Sequence, residues 1–538
     1  MLETYKSVDA IVIGAGFSGL YQLYCLREKL SLRAHVLEAG SGVGGTWYWN
    51  RYPGARCDSE SHSYCYYFSD EILQEWSWTE RYPGHAEIER YLNFVTDRLQ
   101  LRKDITLDTR VSALTFKQDT NRWTVETNDG NQYDAKYVIT AVGCLSSVNM
   151  PKVPGIEKFS GTSFHTGKWP KTGVDFRAKH VGLIGTGSTG IQTIPEIAET
   201  AASLTVFQRT PNFSIPARNH PLTESFKAQV KKDAQMIHQD MLASRHGHPW
   251  QAQKRSAKAT PRAERQEIYE AAWQRGGLRF RESFDDVIVD LASNETAASF
   301  IKDKIRSVVT DPETAEMLTK FDHPFGTKRP PIDSHYFETF NRDNVHLVDV
   351  RATPITEVIE AGIKTEAATF HFDCLVFATG FDAMTGSLNK IDIKGRGHMR
   401  LAAYWRFGPK TNLGMQIPNF PNLFVVTGPG SPSVLTNMPR SIEQNVEWIT
   451  DCIGHLENKG VETIEATEES AEKWTAHVTE VANATLLPMA GHSWYLGANV
   501  PGKPRVFMPY AGGLDRYRKL CTQVAEQGYP GFILRTSK

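Results

Sequence analysis

Residues 10–19 read AIVIGAGFSG, an apolar run from Ala10 to Ile13 that breaks into Gly14-Ala15-Gly16-Phe17-Ser18-Gly19. Leu20, Leu23, Tyr24 and Leu26 then fall at helical spacing, and a second apolar run, Ala34 to Leu37, ends at Glu38. Strand, glycine turn, helix and strand in this order make a Rossmann unit. Its glycines let the backbone turn tightly and approach a pyrophosphate at the helix N-terminus. Glu38, 24 residues after Gly14, stands where an acid accepts hydrogen bonds from a ribose hydroxyl.

The pattern recurs downstream. Val181 to Ile184 is apolar, Gly185-Thr186-Gly187-Ser188-Thr189-Gly190 is a second glycine loop, and Leu204 to Phe207 leads into Gln208-Arg209-Thr210. Arg209 again lies 24 residues after the first glycine. A guanidinium in place of the acid can pair a 2′-phosphate bidentately, so the second nucleotide is expected to be NADP rather than NAD. The bland alternative is a surface arginine. The expected fold class is therefore α/β, with two Rossmann-like dinucleotide-binding domains.

Further strands are expected at Val111 to Phe116, Trp123 to Glu126 and Tyr137 to Ala141, then at Val345 to Val348, Cys374 to Ala378 and Leu423 to Val426. Between about 217 and 322 the strand signal vanishes. Helical spacing dominates there, as in Ala263 to Trp273 and Asn294 to Val309, which points to a helical insertion in the second domain. A helix from about Arg440 to Ile453 and a closing helix complete the chain. The first domain is expected to be discontinuous, 1–143 and 381–538, and the second to run 144–380.

At 538 residues the chain is too long for one ordinary core. With 40% hydrophobic and 22% charged residues and a formal net charge of -1, nothing in the balance argues for nucleic acid or an anionic membrane. Seven scattered cysteines without a C-x-x-C pair argue against a disulfide framework, a zinc site or a dithiol reductase, and no metal is expected. The N-terminus enters a strand too soon for a signal peptide, and no apolar run reaches the ~18 residues a membrane span needs. A cytoplasmic protein without an obligate protein partner is expected.

Between the two loops lies FSGTSFHTGKWP, Phe159 to Pro170, in which Phe159, Gly161, His165, Trp169 and Pro170 form a frame F-x-G-x-x-x-H-x-x-x-W-P. Its spacing suits neither helix nor strand, so an ordered, packed linker is expected. Earlier, Trp47, Tyr48, Trp49, Tyr64, Tyr66 and Tyr67 are interleaved with Arg51, Arg56 and Asp58. Charges that cannot be buried unpaired make this a ligand-lined wall rather than plain core. Lys328 and Arg329 precede Pro330 and are presented from a loop.

The frame resembles the fingerprint of the Baeyer–Villiger monooxygenases, flavoenzymes that insert an oxygen atom beside a ketone carbonyl. The likeness extends from Val8 to about Phe532 through WYWNRYPGARCD, FHTGKWP, GTGSTGIQ, FQRTPNF, FGTKRP, FATGFD and SWYLGANVPGKPRVF. Gly44-Gly45-Thr46-Trp47 resembles the second glycine patch of flavoproteins that carry FAD in their first Rossmann unit. The resemblance implies FAD and NADPH as cofactors. It also implies a C4a-peroxyflavin that attacks the ketone to give an ester or lactone, with sulfoxidation as a further activity.

Residue by residue, the resemblance implies that Arg329 stabilises negative charge on oxygen and that Asp58 orients it. From spacing alone the two could equally be a structural ion pair. FAD would be lined by Gly14, Gly16, Ser18, Gly19, Glu38, Thr46, Trp47, Trp49, Asp58, Tyr64, Val111 and Met438. NADP would meet Arg56, the loop Gly185 to Gly190, Gln192, Arg209, Thr210, Lys328, Arg329 and Trp494. Leu435, Met438 and Trp494 would line an apolar pocket for a hydrophobic ketone, and His165 would couple domain movements rather than donate a proton. Two other readings stand beside this one. One is a flavin-containing monooxygenase of amines and sulfides, whose fingerprint lacks the Trp-Pro ending. The other is a non-catalytic NADPH-binding redox sensor.

Overall fold

The strand Tyr5–Ile13 lies between Ala34–Leu37 and Gln132–Thr140, parallel to both, with Ile13 level with Leu37 and Thr140. The structure, a computed structural model, describes residues 5–536. Around this trio one sheet runs in the order Asp392–Lys394, Val111–Lys117, Arg122–Thr127, Gln132–Thr140, Tyr5–Ile13, Ala34–Leu37, Ile105–Thr106, and Leu423–Val425 pairs with Gln132–Thr140 as well. The apolar run Ala10 to Val12 is fully buried, as expected of a parallel strand covered on both faces.

A second, wholly parallel sheet runs Val345–Asp349, Ser203–Gln208, His180–Ile184, Cys374–Phe377, Thr162–His165. The fold is α/β with two Rossmann-type units. Here the sequence reading of the fingerprint needs correction. Thr162–His165 is an edge strand, with His165 level with Phe377, and only Thr166–Lys168 is a tight turn. An edge strand needs a partner on one side only, so the alternation that marks a half-buried strand is absent: Thr162 and Ser163 are exposed and His165 is buried. Trp169 then packs on Phe164, ring centroids 5.4 Å apart.

Helices Glu224–Lys232, Ala234–Ala243, Arg262–Arg275, Leu291–Val308 and Pro312–Thr319 form the insertion. Tyr269, Phe280 and Phe300 stack into the core of the second sheet, but Ala234 and Met241 are buried in the core of the first. The insertion therefore ties the two cores together. Sequence reading missed a small antiparallel sheet, Ile355–Ile359, Gly362–Thr365 and Thr369–His371. It also missed the strand Phe532–Thr536, which follows the helix Leu514–Glu526 and pairs with Val461–Ala466. Among the described residues no helix is long and apolar enough to cross a membrane.

Candidate active site

Both glycine loops open and close on positions where only glycine fits. Gly14 has φ +106°, and a Cβ on Gly19 would fall 1.8 Å from the Gly14 carbonyl oxygen. In the second loop Gly185 has φ +113°, and a Cβ on Gly190 would fall 2.1 Å from the Gly185 oxygen. The helices that follow, Phe17–Tyr24 and Ser188–Ala198, start at Gly16 and Gly187, and neither has a side-chain cap. Their first N–H groups stay available to an anion, which is the donor set a pyrophosphate requires. Ser18 is buried in the first helix; Thr186 Oγ1 donates to the Thr210 carbonyl at 3.0 Å, which joins the second loop to the end of Ser203–Gln208.

Glu38 is buried, and its carboxylate accepts from the Ala15 and Gly40 N–H groups, both at 2.7 Å. Burial pushes its pKa up and these bonds oppose the shift. The Trp49 side chain bonds the carboxylate as well, which leaves acceptor capacity for one ribose hydroxyl. Thr46 opens the short helix Thr46–Trp49 after Gly45, whose φ is +54°. Trp47 and Tyr64 pack edge to face with centroids 5.8 Å apart, and Val111 is buried at the start of its strand. Trp49 stands edge-on to Tyr48.

At the second loop three cations converge. Burial pulls the Lys328 pKa down, and Arg209 and Arg351 add to that pull against Asp322. Asp322 lies 3.9 Å from Lys328 Nζ and 3.5 Å from Arg351, and accepts from Thr210 Oγ1 at 3.3 Å. Asp322 and Arg351 were missed by sequence reading, because nothing local to either marks them. Arg56 and Gln192 each hold protein partners. Arg56 donates to the Tyr82 carbonyl at 2.9 Å, while Gln192 accepts from Tyr52 OH at 2.8 Å and donates to the Arg56 carbonyl at 3.1 Å. They dock the helix Ser188–Ala198 on the loop 52–56. Gly54, at φ +78°, gives that contact its closeness, since a Cβ there would lie 2.2 Å from the Gln192 oxygen.

Asp58 and Arg329, 271 residues apart, meet in a two-bond clasp: Nε to Oδ2 at 2.5 Å and Nη2 to Oδ1 at 2.8 Å. The third nitrogen, Nη1, donates to the Val434 carbonyl at 2.7 Å. Burial works to raise the Asp58 pKa, but the Arg329 charge and hydrogen bonds outweigh it and hold the carboxyl below its usual range. Burial likewise opposes the Arg329 charge and Asp58 outweighs it, so the guanidinium stays protonated. Tyr495, buried beside Trp494 with ring centroids 4.5 Å apart, feels both Arg329 and Asp58, and burial pushes its phenol up to about 12. Leu435 and Tyr495 share one buried apolar cluster, against which Met438 and Trp494 pack. Behind it Arg440, wholly buried, pairs with Glu443, donates to the Cys65 carbonyl and lies 4.8 Å from the Tyr67 ring centre.

In the fingerprint, His165 Nδ1 accepts from the Gly167 N–H at 3.0 Å and Nε2 lies 3.4 Å from Thr379 Oγ1, just past the end of Cys374–Phe377. Burial is the main force that lowers His165 to about 4, His323 to about 4 and His248 to about 3. A histidine whose folded pKa lies below its unfolded value near 6.5 binds its proton first in the unfolded chain. Stability is therefore full above pH ~6.5 and declines as pH falls toward 4, with a slope of up to ~1.4 kcal/mol per pH unit for each such group. Urea midpoints measured from pH 8 to pH 5 should fall steadily; a flat profile would show these rings to be solvated.

The residues 6–240 match the model of a family described as flavin-binding monooxygenase-like. An acetone monooxygenase (methyl acetate-forming) from Gordonia sp. (strain TY-5) is 42% identical over 531 residues, 98% of this chain and 99% of the relative. The phenazine N-monooxygenase PhzNO1 from Lysobacter antibioticus is 42% identical over 540 residues, 100% of this chain and 99% of the relative. Among solved structures, an oxidised steroid monooxygenase bound to NADP superposes with a TM-score of 0.94 at 48% identity, covering 99% of this chain and 100% of that one.

Proposed function

This chain belongs to the flavin-binding monooxygenase-like family, in its Baeyer–Villiger branch, and from that premise we propose that the Asp58–Arg329 clasp is its reactive centre. The protein is an FAD-containing monooxygenase that uses NADPH and O2 to convert ketones to esters or lactones. Bound FAD, once reduced by NADPH, supplies the electrons that activate dioxygen for insertion beside the carbonyl.

The observation that carries the assignment is a permanently charged guanidinium held by one carboxylate in a partly open cleft, beside an apolar cluster. Such a cation stabilises negative charge as it develops on oxygen. Asp58 orients Arg329, and the Val434 carbonyl gives its third nitrogen a resting partner. The first glycine loop, Glu38, Thr46, Trp47 and Tyr64 would hold FAD. The second loop, with Arg209, Thr210 and Lys328, would hold NADP, and Trp494 would close over it. Leu435 and Met438 wall the pocket, which fits a hydrophobic ketone. A cytoplasmic setting fits seven cysteines that are all unpaired and buried.

Mass-spectrometric analysis of products from a small ketone panel with NADPH tests the reading; consumption of NADPH without any ester or lactone would overturn it. The phenazine N-oxidising relative favours a second reading, oxygen transfer to nitrogen or sulfur, so a thioether and an aromatic nitrogen base belong in the same panel. Arg209→Ala should raise KM for NADPH by about 10- to 100-fold and leave NADH use unchanged, because a charge-assisted bidentate pair with phosphate is lost. Equal losses with both coenzymes would remove Arg209 from the phosphate site.

A further inference from the structure

The helical insertion sends one segment inward. After the helix Ala234–Ala243 the chain runs through Arg245, His246, Gly247 and His248, and every part of it is fastened. The Leu514 N–H donates to the Arg245 carbonyl at 2.8 Å, and the Asn437 N–H donates to the His246 carbonyl at 2.8 Å. Gly247 sits at φ +68°, and a Cβ there would come within 3.1 Å of both Arg440 and Leu514. This is a wedge between the pocket loop and the C-terminal segment.

The His246 ring has a defined role in that wedge. Nδ1 lies 3.1 Å from the Leu435 carbonyl, and Nε2 lies 2.7 Å from Arg281 Nη2, which is 3.0 Å from Nδ1 as well. A carbonyl only accepts, so the bond to Leu435 places the proton on Nδ1, while Arg281 Nη2, within reach of both ring nitrogens, rests against the ring nearer its Nε2 side. Burial, with Arg281 and Arg245 close by, keeps the imidazole neutral, as that arrangement requires. Glu282 balances the charge, 3.5 Å from Arg281 Nε and 3.4 Å from His246 Nε2. The Arg281 stem in turn packs against Gly326, three residues before Arg329. Two consecutive carbonyls of the pocket loop are thus held from different sides: Val434 by Arg329 and Leu435 by His246.

We propose that His246, oriented by Arg281, is a specificity-determining positioning residue that keeps the Ser433–Met438 loop in place when Arg329 turns from Val434 toward the reacting oxygens. The insertion thereby sets which face of the ketone is presented. The inference rests on the reading of Leu435 and Met438 as walls of the substrate pocket.

The test compares enantiomer preference, KM and kcat toward racemic 2-phenylcyclohexanone in the full holoenzyme. His246→Leu should change the enantiomer ratio and raise KM by about fivefold each, the size of one lost hydrogen bond, while NADPH reduces the flavin at its usual rate. His246→Asn, whose amide can donate to the same carbonyl, should restore both values. Arg281→Met, which frees the ring to take the other tautomer, should move them in the direction of the leucine variant, and it serves if that variant fails to fold. Leu435→Ala separates the inference from the reading beneath it. If Leu435→Ala shifts the ratio and His246→Leu does not, the positioning role is wrong and the pocket stands. If neither shifts it, the pocket reading falls too. An asparagine variant that behaves like the leucine one would mean that His246 acts by packing alone, and would overturn the proposal.

Discussion

Arg329→Ala is expected to cut ester formation by about 10²- to 10³-fold, the ~3–4 kcal/mol that one donor aimed at developing charge contributes. NADPH should still reduce the flavin in that variant, because the second nucleotide loop and its phosphate cluster stay intact. Stopped-flow bleaching of the flavin and mass-spectrometric product yield separate the two steps. Oxygenation at the wild-type rate would leave the Asp58–Arg329 clasp as a structural ion pair. The same clasp sets an acid limit. The Asp58 pKa is depressed, so the pair is intact above the ordinary carboxylate range and is lost only as pH falls through the lowered value. Acid inactivation from this pair should therefore begin below a pH of about 4, not at neutral pH.

The largest stability loss is expected from Glu443→Ala. The Arg440 guanidinium behind the pocket loop is wholly buried, and Glu443 is the carboxylate it touches. Removing that partner strands a charge in the core, which costs about 3–5 kcal/mol. Urea unfolding should register it as a lower midpoint. The double variant Arg440→Met with Glu443→Leu, which removes both charges and keeps the volume, should recover most of the loss. A single-variant loss under about 1 kcal/mol would mean that water reaches Arg440.

The parts of this molecule that were legible in the sequence are those whose constraints are local. A glycine loop announces itself because the turn, the close approach and the helix start fall within six residues, and both Rossmann loops stand where the pattern put them. The Asp58–Arg329 clasp joins residues 271 apart, and only resemblance to a known family linked them in advance. The edge strand Thr162–His165 was hidden because a strand paired on one side carries half the usual signal. His246 and Asp322 were invisible for another reason. Their roles depend on backbone carbonyls and charges supplied by distant segments, and no spacing rule connects them. Gln192 shows a contact that motif position does not announce: its amide meets the Arg56 carbonyl and the Tyr52 hydroxyl, which joins the second unit to the first.

The order of strands also bears on how the polypeptide acquires its shape as it emerges. All five strands of the second sheet lie between residues 162 and 377, so that layer can close on itself before the remainder has been made. The first sheet has six of its eight strands by residue 140 yet lacks Asp392–Lys394 and Leu423–Val425 until late, so the Val138–Thr140 end of Gln132–Thr140 waits for its second partner through more than two hundred residues of synthesis. Pulse-labelled hydrogen exchange on ribosome-stalled chains that end near residue 400 should accordingly find amides of His180–Ile184 already shielded.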